Sequence, residues 1–177
     1  MNLLVLAIGL GVFAAIALAV RFHFSAGPPT ARFIALAVVS GVNIFVFARE
    51  LWLRPKGAVM LGLALALMVP AAALFAWSLQ ASRAARLKLI FDADRPETIL
   101  RAGPYNHIRH PFYAAYILFW GGCAVATQQP FNIAFAVLLV PLLVAAARAE
   151  ERGFERSAQA AEYAAYRRSA GLFWPRL

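Results

Sequence analysis

The sequence predicts an all-helical integral membrane protein with about five transmembrane helices, a cytoplasmic connecting segment and a C-terminal amphipathic helix. Three observations predict it. Of the 177 residues 63% are hydrophobic and 14% charged, which is more apolar surface than one soluble domain of this length can bury, so lipid must cover the rest. The apolar residues fall into long runs, each near the 20 or so helical residues that a hydrocarbon core requires. The basic residues gather in short blocks between those runs, the distribution that sets orientation in a membrane.

Five apolar stretches run from Leu3 to Val20, Phe33 to Ala48, Ala58 to Leu79, Phe112 to Thr127 and Phe131 to Ala147. The first lacks a basic leading region and is followed by Arg21 and His23 rather than a small-residue cleavage site, so it reads as a membrane helix and not a signal peptide. Pro70 is expected to kink the third helix, because proline removes a backbone donor and crowds the preceding turn. Gln128, Gln129 and Pro130 supply turn chemistry between the fourth and fifth helices, which read as a hairpin.

Charge and cysteine usage remove several function classes. The formal net charge is +9, yet no basic stripe interleaves with exposed aromatics, so nucleic acid is not the expected partner. Cys123 is the single cysteine and lies in an apolar run, which leaves neither a disulfide nor a CxxC metal site within one chain. No GxGxxG follows a strand-like segment, so a soluble Rossmann-type domain is not available either.

If the N-terminus lies outside, only Arg49, Arg54 and Lys56 of the 17 basic residues fall outside with it. The expected orientation is therefore N-terminus outside and C-terminus cytoplasmic, in a bacterial cytoplasmic membrane. The two long polar segments, residues 80–111 and 149–177, then share the cytoplasmic face. Most acidic residues go with them, and Glu50 stands alone on the other side.

The most informative stretch runs from Glu97 to Tyr113. Gly103 and Pro104 impose a turn, and Pro111 suits the first position of a helix, where a missing N–H costs nothing. Tyr105, His107, Arg109 and His110 are concentrated where the chain enters the membrane. Such a cluster faces water as an interfacial anchor, pairs with a buried partner, or binds a ligand. A second polar cluster, Arg148, Glu150 and Glu151, follows the fifth apolar run, with Arg148 and Glu151 three apart and so on one helix face. Beyond it an amphipathic segment carries Phe154, Tyr163 and Tyr166, with Arg152, Arg156, Arg167 and Arg168 available to lipid headgroups. It is expected to fold over the first cluster.

At these residues the chain resembles the isoprenylcysteine carboxyl methyltransferases and their membrane relatives that methylate phospholipid amines. The shared pattern is Gly103-Pro-Tyr105, Arg109-His-Pro-Phe-Tyr113, a helical hairpin, Glu150-Glu151, and the pair Tyr163 and Tyr166. The resemblance covers about residues 90–177, so residues 1–80 read as a three-helix membrane portion and residues 81–177 as one unit holding the site. It implies S-adenosylmethionine as cofactor, surrounded by Glu97, Thr98, Ile99, Leu100, Tyr105, His110, Pro111, Phe112 and Tyr113 and completed by Glu151. It further implies a lipid-like substrate with membrane lipids as surroundings, no metal, and catalysis carried by Arg109 and His110, the latter as a donor that orients the cofactor. The family often has histidine where this chain has Glu97, and Phe-Gly where it has Gln159-Ala160. It also has a substrate arginine at the position of Ala147, so Arg148 would have to serve as the substrate residue from one position away.

Methyl transfer from a sulfonium is an in-line displacement that needs alignment and tolerance of a vanishing positive charge, both of which carboxylates and aromatic faces supply. Two other readings compete. Sterol reductases are similar around the Arg-His-x-x-Tyr segment and use a nicotinamide cofactor, but they are much longer. A noncatalytic membrane scaffold would keep the fold alone.

Overall fold

The structure, a computed structural model, describes residues 1–22, 31–83 and 99–176, without the side chain of Arg32. Its elements are α1 (Asn2–Phe22), α2 (Ala31–Leu53), α3 (Ala58–Ser82), a 3-10 turn (Gly103–Asn106), α4 (Pro111–Thr127), α5 (Pro130–Glu155) and α6 (Ala160–Ser169). The architecture is all-helical, with no β-strand among the described residues. His23, Glu97 and Thr98 lie outside the described residues.

The α1, α2, α3 and α5 helices are long and apolar enough to cross a membrane, while α4 has 17 residues. At 1.5 Å per residue α4 is about 25 Å long, short of a hydrocarbon core of roughly 30 Å. Its surroundings compensate. Along α4, Phe119, Cys123 and Ala126 are fully enclosed by protein, and aromatic edges from Phe13 and Phe135 meet Trp120. Small residues bring α3 close to it. A Cβ at Gly122 would stand 2.7 Å from Met68 Cγ and 3.2 Å from the Ala64 carbonyl. The outward positions of the other helices, such as Leu3, Val38, Phe45, Val69 and Leu138, are exposed, as lipid-facing residues must be.

Two helices outrun their apolar stretches. Hydropathy stops at the first charge, whereas α2 continues through Glu50 because that carboxylate is buried and matched by Arg49, Arg54, Lys56 and Gln129. Likewise α5 carries on past Ala147 to Glu155. The α3 helix runs unbroken through Pro70. Between α4 and α5, Gln128 takes the left-handed conformation (φ 54°), Gln129 is extended, and Pro130 opens α5, which forms the hairpin.

The helix ends sort into two groups. Asn2, Glu50, Lys56, Thr127 and Gln129 meet at one end of the bundle through hydrogen bonds. The 3-10 turn, the start of α4, the end of α5 and α6 meet at the other. Arg49, Arg54 and Lys56 thus stand opposite Arg101, Arg109 and Arg167, as an odd number of crossings requires.

Candidate functional site

The site is built outward from Gly103. Its φ of +56° suits glycine, and a Cβ there would stand 2.9 Å from Trp77 Nε1 and 3.0 Å from Ala81 Cβ, so the turn is pressed against the end of α3. Pro104 is buried behind it, and its carbonyl accepts from the amides of His107 and Ile108. Tyr105 is thereby pointed into the bundle, where its hydroxyl meets Ser82 and burial holds its pKa far above the usual phenol range.

The next residues are fixed by the C-terminal tail. Arg109 N donates to Gly171 O at 2.8 Å, His110 N to Leu172 O at 3.1 Å, and Gly171 N to His107 O at 3.0 Å, a short parallel pairing of Ile108 with Gly171. Any side chain at Gly171 would run into the Trp174 carbonyl, so this return of the chain requires glycine. Pro111 then opens α4 with no amide to satisfy.

On α5 the residues Leu139, Leu143, Ala147 and Glu151 form one buried stripe at a spacing of four. Glu151 therefore points inward at the inner mouth of the bundle. Arg109 Nε donates to its Oε1 at 2.7 Å, with both side chains at least nine-tenths buried. The Arg109 guanidinium also donates to the Ala170 carbonyl, which ties the tail to the same carboxylate. His110 lies between the two acids, with Nδ1 3.5 Å from Glu150 and Nε2 3.4 Å from Glu151. Its Nε2 is buried and has no hydrogen bond of good geometry. Burial works against the charged imidazole, but the two glutamates outweigh it and raise the His110 pKa above its ordinary value.

Tyr113 donates its hydroxyl to Glu150 and stacks on His110 with ring centroids 5.3 Å apart. The edge of Phe173, from the tail, closes on both rings. The α6 helix covers the rest. Tyr166 donates to the Tyr105 carbonyl at 2.6 Å, Arg101 donates to the Glu162 carbonyl at 3.0 Å and lies over the Tyr166 ring, and Tyr163 stacks on Phe154. Burial pushes the Tyr166 pKa up to about 12, and that of Tyr163 rises further with Glu151 beside it, so both stay protonated donors at neutral pH.

The structure thus brings together Tyr105, Arg109, His110, Pro111, Phe112, Tyr113 and Glu151. Leu100 packs against the main core and Ile99 against Tyr163 and Tyr166. His107 is exposed and offers only its backbone. Arg148 is exposed, whereas Ala147 and Glu151 belong to the buried stripe of α5 at the spacing of four.

Three features escaped the sequence reading: the part of Glu150, the ion pair of Arg109 with Glu151, and the tail that carries Gly171 and Phe173. The signal for the tail was available. An apolar Leu-Phe-Trp-Pro run directly after an arginine-rich helix is out of place on a solvated surface.

A single buried end therefore holds two carboxylates, a histidine with an unsatisfied nitrogen and three aromatic rings, at the meeting point of α4, α5 and the tail. No curated protein and no solved structure matches the chain. The family model for phospholipid methyltransferase matches residues 58–157, from the first residue of α3 to just beyond α5. That span is more than half of the chain and includes both Arg109-His110 and Glu150-Glu151, and on it the chain belongs to the phospholipid methyltransferase family.

Proposed function

We propose that this protein transfers a methyl group from S-adenosylmethionine to the amine of a membrane phospholipid. The single observation that carries the reading is the cluster of half-buried Glu150 with Glu151, His110 and Tyr113 at the mouth of the bundle, inside the segment that matches the family. The residues fit that cofactor. The Glu150 and Glu151 carboxylates offer acceptor oxygens to a cationic group, the buried His110 Nε2 offers an unused position, and Tyr105, Tyr113 and Phe173 present aromatic surface. With Ile99, Leu100, Pro111 and Phe112 as apolar walls, Glu151 and His110 would hold the cofactor's polar end. Bound there, the cofactor supplies an activated methyl on a sulfonium.

The protein's own part is alignment and proton handling. A phospholipid ammonium must lose a proton before its lone pair can attack, and Glu150, with His110 against it, is the acceptor within the site. His110, its pKa raised, serves as a donor. Arg109 acts at one remove, holding Glu151 and the tail in register. Exclusion of water by α6 and the tail strengthens each of these contacts. Arg148, exposed near the end of α5, adds a positive charge that draws anionic headgroups toward this face of the membrane.

Calorimetric titration of the detergent-purified protein with S-adenosylhomocysteine and with NADPH tests the cofactor, and methyl incorporation into phosphatidylethanolamine tests the reaction. Binding of NADPH alone would replace this reading with a reductase. The site end is cytoplasmic in this reading. A thiol probe should label Gly57→Cys from outside and Ser169→Cys only after permeabilisation, and the reverse pattern would separate the site from its cofactor.

A further inference from the structure

One feature on the site end has no part in the chemistry above. An open groove of about 220 Å³ lies on the outer side of α6, lined by Glu155, Tyr163, Ala164, Arg167, Arg168 and Arg176. Its charge is unbalanced. Glu155 pairs with Arg167 at 2.6 Å, and Arg176 donates to the Arg167 carbonyl at 3.1 Å, which leaves its positive charge unmatched. Arg168 has no hydrogen bond or ion pair among the described residues. Three arginines thus line one concavity with Glu155, which is taken by Arg167, and among the described residues no further acid pairs with Arg168 or Arg176, an arrangement suited to phosphate oxygens.

The groove is not remote from the site. Tyr163 lines it and is also the α6 residue beside Glu151, so one buried ring separates the arginines from the acid that completes the cofactor site. In a phospholipid amine only two carbons separate the phosphodiester from the nitrogen. Holding the first at the arginines limits how far the second can wander from the site.

We infer that the groove of Arg168, Arg176 and Tyr163 seats the phosphodiester of a phospholipid headgroup and so selects phospholipids among amine acceptors. The inference rests on the reading of the site as a lipid methyltransferase, and it names the residues that recognise the acceptor.

A 31P NMR titration of the detergent-purified full chain with dihexanoylphosphatidylethanolamine and with inorganic phosphate tests it, alongside calorimetry with S-adenosylhomocysteine. Arg168→Gln with Arg176→Gln should weaken the lipid roughly ten-fold or more and leave S-adenosylhomocysteine, followed by calorimetry, unchanged. Arg168→Lys with Arg176→Lys should retain most of the lipid affinity. Both arginines are exposed, so the variants should fold, and their unchanged cofactor affinity would show it. Unchanged lipid affinity in the glutamine variant would overturn the inference, as would equal loss of S-adenosylhomocysteine. Inorganic phosphate binding as tightly as the lipid would do the same, since the groove would then be a free-anion site. Failure of the parent reading is distinguishable: lipid held by the arginines but never methylated sinks the reaction alone. Methylation whose KM ignores both arginines sinks the groove alone.

Discussion

Each end of the helical bundle buries carboxylate chemistry against arginine, and the two ends finish it differently. At the Glu50 end a single acid accepts from Arg49, Lys56 and Gln129, with Arg54 at 3.5 Å. Lys56 in turn donates to the Thr127 carbonyl at the end of α4, and Asn2 binds the carbonyls of Leu51 and Arg54. These bonds join the start of α1, the end of α2, the α2–α3 connection and the α4–α5 turn. At the other end two acids share one arginine and one histidine, and a buried ring nitrogen is left over. A saturated network fixes helices, whereas a network with spare acceptors and an idle donor is prepared for something it does not contain. The comparison gives a physical ground, apart from the family, for placing the proposed site at the second end.

The sharpest way to break it is to remove the acid from each end in turn. Glu50→Ala strands the half-buried Lys56 and releases the turn at Gln129, and it should lower the unfolding temperature in detergent by roughly 5 to 10 °C. Affinity for S-adenosylhomocysteine should stay within about two-fold of the parent, since no contact of Glu50 reaches the site. A Glu50→Ala protein as stable as the parent would mean that the outer network does not hold the bundle.

Glu151→Gln should do the reverse. Its carboxylate is the charged partner of Arg109 and the neighbour of His110, and its loss should cost about 1.5 to 3 kcal/mol of S-adenosylhomocysteine binding, or roughly ten- to hundred-fold. Glutamine keeps the shape and can still accept from Arg109, so the unfolding temperature should move less than in Glu50→Ala. Equal affinity in variant and parent would show that the cluster does not bind the cofactor.

The two ends were not equally legible in the sequence. The site end announced itself because Tyr105, Arg109, His110 and Tyr113 are polar residues packed into nine positions at a helix entrance, and because Arg148, Glu150 and Glu151 follow a long apolar run. Local spacing carries that much. It did not reveal which of the two glutamates the arginine would choose, since that depends on the four-residue stripe of α5 continuing from Leu139 to Glu151. Nor did it reveal that Gly171 and Phe173, some 60 residues beyond, would fix the backbone of Arg109 and His110. Such pairing is set by the path of α6 and not by any local pattern. At the far end Glu50 stands as the one acid on its side. Arg49, Arg54 and Lys56 are within six residues of it, but Gln129 comes from the α4–α5 turn, and only the packed bundle brings that amide to the carboxylate.

The smallest expected effect is a pH dependence confined to the site end. Burial alone would keep His110 neutral, but Glu150 and Glu151 more than offset it, and the folded-state pKa lies above the ordinary value of 6.5. A histidine raised in this way adds stability that is fully present below the unfolded pKa and is lost as pH rises through the folded one. The unfolding temperature of the parent should therefore decline from about pH 6.5 upward relative to His110→Gln, whose side chain does not titrate. Because burial and the carboxylates act in opposite directions, this decline should be weaker than the effect of removing either acid. A difference between parent and variant that grows with pH would mean that burial dominates and that His110 is neutral in the folded protein. Glu50→Ala should keep the decline intact, since no contact of Glu50 reaches His110; a decline that vanished in Glu50→Ala would show that the two ends are coupled and would end the comparison.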